Sequence, residues 1–346
     1  MSKLTYKDSG VDIDKADSLK SGLKKTLASQ EKRVLNTVGA FSSLYDIAAL
    51  EGISEPVLCL KMEEPGSKQL LAAQNGRLAS VGEDLVNHLI NDTVMNGGRP
   101  LAILDTIVCG KLNNEEVASL IATMVETCKR EGCVLVGGET SEQPRVLNDG
   151  TYVLSAACIG IVDRKKIIDG SNIQPGDAVF SVSSNGVHTN GYTLVRSLLE
   201  KHPHLKDFAL SSGESLLEAV LRPHRCYNTP LQRIFRETSL HGLAHITGGG
   251  IVDNTKRILP LHLSAEISLS LVQTLEEFSV IHQHGGVPKE DMLRTFNCGV
   301  GMVMIGTEED CGRAAEIFET SDISAYQIGE ITTGTGTVNL SGDISF

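Results

Sequence analysis

Residues 115–144 read EEVASLIATMVETCKREGCVLVGGETSEQP, a helical pattern followed directly by a strand-like apolar run. Residues 115–131 carry apolar side chains at helical spacing, with acidic residues in the first turn and basic residues in the last, and Gly132 follows as a stop signal. Residues 134–136 predict a buried strand that ends at the next two glycines. A helix that leads straight into a buried strand is typical of an α/β protein.

The same alternation continues along the chain. Helical patterns at 14–29 and 83–96 and apolar strand patterns at 57–60, 101–109 and 152–162 fill the first half. The segment DGSNIQPGD at 169–177 is the best linker signal, because it combines Gly, Pro, Asn and Asp. We therefore predict two α/β domains, 1–170 and 171–346. The second half repeats strands and helices from residue 178 onward.

The composition predicts a globular chain that works in the cytoplasm. Apolar residues make up 41% of the 346 residues, and the formal net charge of −12 opposes binding to nucleic acid. No apolar run approaches the roughly 18 residues that a membrane helix needs. The N-terminal segment is polar and acidic, unlike a signal peptide. The eight cysteines form no C-x-x-C pair and mostly lie in apolar stretches, which favours buried thiols over disulfides or zinc.

Two loops of the second half combine glycines with histidines. Residues 184–190 (SNGVHTN) join a predicted strand to a helix, so backbone N–H groups and the helix N-terminus can hold a phosphate-sized anion. Residues 244–250 (AHITGGG) repeat this arrangement, and three successive glycines allow a ligand to approach and expose several N–H donors. The first loop could equally be an ordinary glycine turn with Thr189 or Asn190 as a helix cap. His245 could transfer protons or be a packed histidine.

Acidic side chains of the first half lie near predicted strand and helix ends. A strand followed by Glu139, Thr140, Ser141 and Glu142 gives an oxygen-rich edge that can hold Mg²⁺ and phosphate. Each acid alone could be a solvated surface charge, so only convergence in space would make a site. The candidates are Glu63, Asp92, Asp105, Glu139 and Glu142. The P-loop and dinucleotide-binding motifs are missing from the sequence.

Several longer motifs resemble one family, phosphoribosylformylglycinamidine cyclo-ligase, also called aminoimidazole ribonucleotide synthetase. The resemblance covers nearly the whole chain. It is carried by YKDSGVDID at 6–14, NDTVMNGGRP at 91–100, residues 137–144, residues 184–196, AHITGGG at 244–250 and RTFNCGVGM at 294–302.

The resemblance implies a two-domain α/β fold of the aminoimidazole ribonucleotide synthetase type, in which first-domain strands form a barrel across a homodimer. It implies that the first domain binds ATP and Mg²⁺ and forms the dimer, and that the second lies on the substrate side. The implied reaction is the ATP-dependent ring closure of formylglycinamidine ribonucleotide to aminoimidazole ribonucleotide in purine synthesis. ATP phosphorylates the amide oxygen, and the amidine nitrogen then displaces phosphate.

The resemblance also implies site residues. His188, His245 and Asp92 would be catalytic, and Glu63, Asp92 and Glu139 would hold Mg²⁺. The nucleotide side would comprise Lys24, Lys68, Asp92, Asp105 and Glu139. The substrate side would comprise Ser184, Gly186, His188, Thr189, Asn190, Thr247, Gly248, Gly249 and Gly250.

The sequence departs from the family pattern on the nucleotide side. Residues 36–43 (NTVGAFSS) replace a glycine-rich stretch, and residues 61–68 (KMEEPGSK) replace the family's GTDGVGTK. Glu63 stands where the family has an aspartate, and its longer side chain requires adjustment in a tight Mg²⁺ shell. The sequence therefore leaves two hypotheses open, an active cyclo-ligase with a rebuilt nucleotide loop and a weak or inactive paralogue that keeps ligand binding or dimer assembly.

Overall fold

The computed structural model describes residues 13–27, 31–36 and 40–346, and these residues divide into two compact units. The first unit comprises residues up to 93 together with 99–165. The second comprises 94–98 and 166–346. Among the described residues, no helix has the length and apolar character required to cross a lipid bilayer.

The first unit contains a four-stranded sheet in the order β1-β4-β2-β3. Strands β1/β4 and β4/β2 are antiparallel, whereas β2/β3 are parallel. A parallel pair requires a crossover, and helix α4 supplies it between β2 and β3. The elements are α1 (Ile13–Thr26), β1 (Pro56–Glu63), α2 (Lys68–Gln74), α3 (Ser80–Val94), β2 (Arg99–Cys109), α4 (Asn114–Arg130), β3 (Val134–Glu142) and β4 (Tyr152–Asp163).

Helix α4 forms as its sequence predicts. Asn113 caps it by accepting hydrogen bonds from the N–H groups of Glu115 and Glu116, which also place two acids in the positively polarised first turn. Lys129 and Arg130 lie in the last turn, where they face the negative end of the helix dipole.

Strand β3 is longer than the sequence predicts. The prediction that it ends at the double glycine is wrong, because β3 continues to Glu142 and pairs with β2 up to Cys109. Gly138 lies opposite Asp105, and a Cβ at this position would overlap the Asp105 carboxylate. The glycine therefore makes room for a buried acid within a continuous strand.

The second unit is built on a six-stranded sheet in the order β10-β7-β9-β5-β8-β6. The pair β10/β7 is parallel and the other neighbours are antiparallel. Strand β8 is buried along its whole length, so it lies at the core of this unit. The strands are β5 (Ala178–Ser183), β6 (Gly242–His245), β7 (Leu263–Ser268), β8 (Val300–Gly306), β9 (Ala325–Thr333) and β10 (Thr337–Ser341).

The helices of this unit alternate with its strands, which confirms the predicted mixed α/β class. The apolar pattern of the sequence does not predict the short helices α2 of the first unit and α10 of the second, because seven residues give too few turns for a periodic pattern. The helices are α5 (Tyr192–Lys201), α6 (Leu216–Val220), α7 (Asn228–Glu237), α8 (Gly250–Lys256), α9 (Glu276–Gly285), α10 (Lys289–Thr295) and α11 (Glu308–Glu319).

One face of the first unit's sheet is apolar and exposed. Met62 of β1, Ala157 of β4 and Leu104 of β2 stand opposite one another across three strands, so their side chains share this face. Leu60 and Met62 are 71% and 66% exposed, and Val153 of β4 adds a third exposed apolar side chain. We call Leu60, Met62, Leu104, Val153 and Ala157 the outer sheet face.

Candidate functional site

The loop at 184–190 is fixed to the second unit by side chains outside it. Ser184 Oγ donates to Asn297 Oδ1 at 3.0 Å, and Asn297 Nδ2 donates to the carbonyl of Gly186 at 2.9 Å. Arg222 Nη1 donates to the carbonyl of Asn185 at 2.6 Å. These three hydrogen bonds tie the loop, which connects β5 to α5, to residues of other segments of the second unit.

The backbone of this loop is strained at His188, whose φ is 62°. A non-glycine residue rarely adopts this left-handed conformation, and such strain often occurs where a side chain must face a functional site. His188 is 2% exposed and its Nε2 lies 3.1 Å from Asn185 Oδ1. Helix α5 then begins after Gly191, where a Cβ would overlap the ring of Phe296.

The loop at 246–250 is tied together mainly by Asn254 of α8. Its Nδ2 lies within hydrogen-bond distance of the carbonyl oxygens of Thr247, Gly248 and Gly250, at 3.3, 3.2 and 2.8 Å. The N–H of Gly249 donates to the carbonyl of Arg294 at 3.0 Å, and that of Gly250 donates to Thr247 at 3.1 Å.

The prediction that this loop exposes several N–H donors is therefore wrong for Gly249 and Gly250, because internal hydrogen bonds use both groups. Both residues have positive φ, and a Cβ at Gly250 would overlap the carbonyl of Leu293. These glycines thus serve a tight turn against α10.

Three buried histidines meet between the two loops. His188 and His224 stack with ring centroids 3.9 Å apart and an interplanar angle of 20°. The Nε2 atoms of His224 and His245 are 3.0 Å apart, and Thr189 Oγ1 lies 3.3 Å from His224 Nδ1. The structure thus brings the predicted residues His188, Thr189 and His245 into one cluster, in which neighbouring groups can bind polar substrate atoms or exchange protons.

A second cluster lies within the first unit, where Lys61 bridges two of the predicted magnesium ligands. Its Nζ is 2.6 Å from Glu63 Oε1 and 2.9 Å from Asp92 Oδ2. Partial burial lowers the pKa of Lys61, but the hydrogen bonds to the two carboxylates outweigh burial and raise it. His88 Nε2 lies 3.8 Å from Asp92 Oδ2. An ammonium cation thus occupies the position between the two acids.

The remaining predicted nucleotide-side residues are Glu139, Asp105, Lys24 and Lys68. Glu139 is exposed on β3 opposite Thr106, and no metal-binding cluster among the described residues includes it. Asp105 is 7% exposed, and burial raises the pKa of its carboxyl to about 7. Lys24 belongs to α1, but its side chain lies outside the described part of the structure, as does most of the motif at 6–14.

Lys68 is fully buried. Its Nζ donates to Asp84 Oδ1 at 2.7 Å, and burial lowers its pKa although Asp84 acts in the opposite direction. Lys68 therefore stabilises the first unit through this ion pair.

Sequence reasoning missed the residues that hold the loops. His224, Arg222 and Asn254 lie outside the two glycine-containing loops, and Asn297 lies in the motif at 294–302, to which the sequence assigns no role. The only local signal was the run of basic residues around Pro223, which interrupts the helical pattern between α6 and α7.

Both units match models of one family. Residues 48–162 match "AIR synthase related protein, N-terminal domain", and residues 174–340 match "AIR synthase related protein, C-terminal domain". Phosphoribosylformylglycinamidine cyclo-ligase of Carboxydothermus hydrogenoformans is 39% identical over 340 residues, which cover 96% of this chain and 98% of the relative. The enzyme of the same name from Magnetococcus marinus is 39% identical over 336 residues, covering 96% and 94%.

Solved structures show the same fold at low sequence identity. The hydrogenase maturation protein HypE from E. coli has a TM-score of 0.69 at 17% identity and covers 94% of both chains. HypE in complex with ATP has a TM-score of 0.67 at 17% identity, covering 96% of this chain and 92% of that one.

Proposed function

Since the chain belongs to the AIR synthase related family, we propose that it is a phosphoribosylformylglycinamidine cyclo-ligase that closes the imidazole ring of its substrate with ATP. The observation that carries this proposal is 39% identity to curated cyclo-ligases over 96% of the chain. The enzyme converts formylglycinamidine ribonucleotide to aminoimidazole ribonucleotide. It works in the cytosol, in keeping with its eight free cysteines.

The reaction has two steps. The amide oxygen of the substrate attacks the γ-phosphorus of ATP, so ADP leaves and the oxygen becomes part of a good leaving group. The amidine nitrogen then attacks the carbon of this activated amide and forms the C–N bond that closes the ring. The C–O bond of the amide breaks, and the oxygen leaves as part of phosphate. The protein must hold the two ends of the substrate together, accept the proton that the nitrogen loses and neutralise the phosphoryl charge.

The second unit supplies the substrate side in this proposal. His188 and His245 converge with Thr189 between two structured loops, and an imidazole can accept the proton from the attacking nitrogen near neutral pH. Ser184, Gly186 and Asn190 of the first loop and Thr247 and Gly248 of the second lie close in sequence to these residues, and we assign them to ribonucleotide binding. Gly249 and Gly250 shape the turn of the second loop.

The first unit supplies the cation side. The carboxylate oxygens of Glu63 and Asp92 are suitable Mg²⁺ ligands, and the contact of both with Lys61 Nζ shows that the two carboxylates lie close together. Bound Mg²⁺ neutralises phosphate charge. Asp105 extends the nucleotide side, because Asp105 and Glu63 both pair with Ala156 of β4 and so share one face of the sheet. Lys24 adds a positive charge to this side. Glu139 pairs with Thr106 on the opposite face and Lys68 is buried against Asp84, so neither is assigned to it.

The enzyme acts as a homodimer joined through the outer sheet face. Exposed leucine and methionine side chains in one contiguous patch favour a protein partner over water. Strand β1 is at the edge of the sheet, so a second copy can extend the sheet towards a closed barrel.

One observation favours the alternative, a weak or inactive paralogue. Lys61 contacts both Glu63 and Asp92, so its ammonium competes with Mg²⁺ for the same oxygens. Phosphate release from ATP should be measured with the purified protein, with and without formylglycinamidine ribonucleotide. Release that requires the ribonucleotide and yields aminoimidazole ribonucleotide supports the cyclo-ligase, whereas tight binding of the ribonucleotide without turnover supports the paralogue.

A further inference from the structure

One buried side chain, His224, contacts a predicted site residue in each of the two loops. Its Nδ1 lies 3.3 Å from Thr189 Oγ1 in the first loop, and its Nε2 lies 3.0 Å from His245 Nε2 beside the second. Its ring also stacks on His188. We infer that His224 is a positioning residue that fixes the ring orientation of His245 and couples its tautomer to the Thr189 hydrogen bond. We call Thr189, His224 and His245 the histidine bridge.

The histidine bridge couples the tautomer of His245 to the hydrogen bond that Thr189 makes with His224. A neutral imidazole has one donor and one acceptor nitrogen, so one proton lies between the two Nε2 atoms. If His224 Nε2 carries it, then His224 Nδ1 accepts from the hydroxyl of Thr189 and His245 is protonated at Nδ1. If His245 Nε2 carries it, then His224 Nδ1 donates to Thr189. The tautomer of His245 is therefore linked to the direction of the Thr189 hydrogen bond.

The backbone around His224 is held in place independently of the bridge. Arg222, two residues earlier, donates to Glu277 Oε1 at 2.8 Å and to the carbonyl of Asn185 at 2.6 Å. Asn185 Nδ2 in turn donates to the carbonyl of Pro223 at 2.9 Å. These bonds attach the segment that carries His224 to the first loop. The backbone position of His224 is therefore fixed, as a positioning residue requires.

Ring geometry favours a hydrogen-bonded bridge over a metal site. His188, His224 and His245 offer nitrogens within 4.8 Å of one another, as metal ligands would. The rings of His188 and His224 are nearly parallel, however, so their in-plane lone pairs do not converge on one point. The Nε2 atoms of His224 and His245, in contrast, are at normal hydrogen-bond distance.

Two variants of His224 separate its two bonds. The amide of His224→Gln reaches the position of Nε2 and keeps the bond to His245, whereas that of His224→Asn reaches the position of Nδ1 and keeps the bond to Thr189. Misplacement of a reacting group can cost about 100-fold in rate. We expect His224→Asn to lower kcat by about 10- to 100-fold with little change in KM, and His224→Gln to retain most of the wild-type kcat.

The matched control is His262→Gln, since His262 is an exposed histidine in the same unit and the variant should keep wild-type kinetics. Thermal unfolding of each variant reports its folded fraction. Equal kcat values for the Gln and Asn variants, after correction for that fraction, would overturn the positioning role.

The kinetic test of this inference rests on the proposed function. A second test by NMR needs no enzymatic turnover, so its failure can be distinguished from failure of the proposed function. In protein labelled with ¹⁵N-histidine, the bridge should give a scalar coupling across the hydrogen bond between the Nε2 atoms of His224 and His245. The coupling should disappear in His224→Asn. Absence of the coupling, or stoichiometric Zn²⁺ binding that requires all three histidines, would overturn the bridge. A coupling in a protein without cyclo-ligase activity would instead refute the proposed function.

Discussion

Lys68 Nζ and Asp84 Oδ1 lie 2.7 Å apart, and both side chains are fully buried. Removing one partner of such a pair leaves an uncompensated buried charge, which costs about 3–5 kcal/mol. We expect Lys68→Met to lower the free energy of unfolding by that amount, as measured by urea denaturation. The double variant Lys68→Met/Asp84→Leu should recover much of the loss, because it removes both charges.

Lys111→Met is the control for this prediction, since the pair Lys111–Asp149 is exposed and should contribute little. If Lys68→Met instead unfolds like the wild type and weakens ATP binding alone, then Lys68 acts on the nucleotide rather than on stability.

Asp105 should make stability depend on pH. Burial raises the pKa of its carboxyl from 3.8 to about 7. Below pH 3.8 the group is protonated in both states, whereas between pH 3.8 and 7 the unfolded chain loses the proton that the folded protein keeps. As the pH rises from 3.8 to 7, the contribution of Asp105 to the free energy of unfolding therefore falls, and it is constant above pH 7.

The variant Asp105→Asn should remove this fall. Its stability relative to the wild type should rise from pH 4 to pH 7 by at most about 4 kcal/mol and then stay constant. Urea denaturation at a series of pH values measures the difference, with the exposed Asp149→Asn as control. A difference that does not vary with pH would mean that Asp105 titrates normally in the folded protein.

The alternation of helices and strands could be predicted from the sequence, because apolar periodicity reports which face of an element is buried. The position at which β3 ends could not be predicted from the sequence. Glycines usually interrupt strands, and the reason for Gly138 is the carboxylate of Asp105, a contact between residues 33 positions apart that no local pattern reveals.

The candidate site was predictable where it lies in glycine-containing loops and not where it depends on distant packing. His188 and His245 stood out because they flank strand ends next to glycines. His224 did not, because its partners Thr189 and His245 are 35 and 21 residues away in sequence. The ammonium of Lys61 between Glu63 and Asp92 was missed for the same reason, since convergence of a strand and a helix is a tertiary property.

If the outer sheet face is the dimer interface, then a charge placed on it should change the oligomeric state. An acidic side chain at Leu60, which is 71% exposed in one chain, would place a charge inside the proposed dimer interface. We expect Leu60→Asp to convert the dimer to monomers in sedimentation analysis while each subunit stays folded. The control is Leu261→Asp, since Leu261 is 85% exposed but belongs to the other unit. A wild-type monomer, or a Leu60→Asp dimer, contradicts the proposed interface.

Lys61 should compete with Mg²⁺ for Glu63 and Asp92. Removing the ammonium in Lys61→Met leaves the two carboxylates without their nearest cation. We expect Mg²⁺ to bind about tenfold more tightly in this variant, a change of about 1.4 kcal/mol in a calorimetric titration. Glu63→Gln should weaken binding, and Lys165→Met, which removes an exposed lysine paired with Glu55, should have no effect. Unchanged Mg²⁺ affinity in Lys61→Met would show that the ion binds elsewhere, because an ammonium this close to both acids must oppose a second cation.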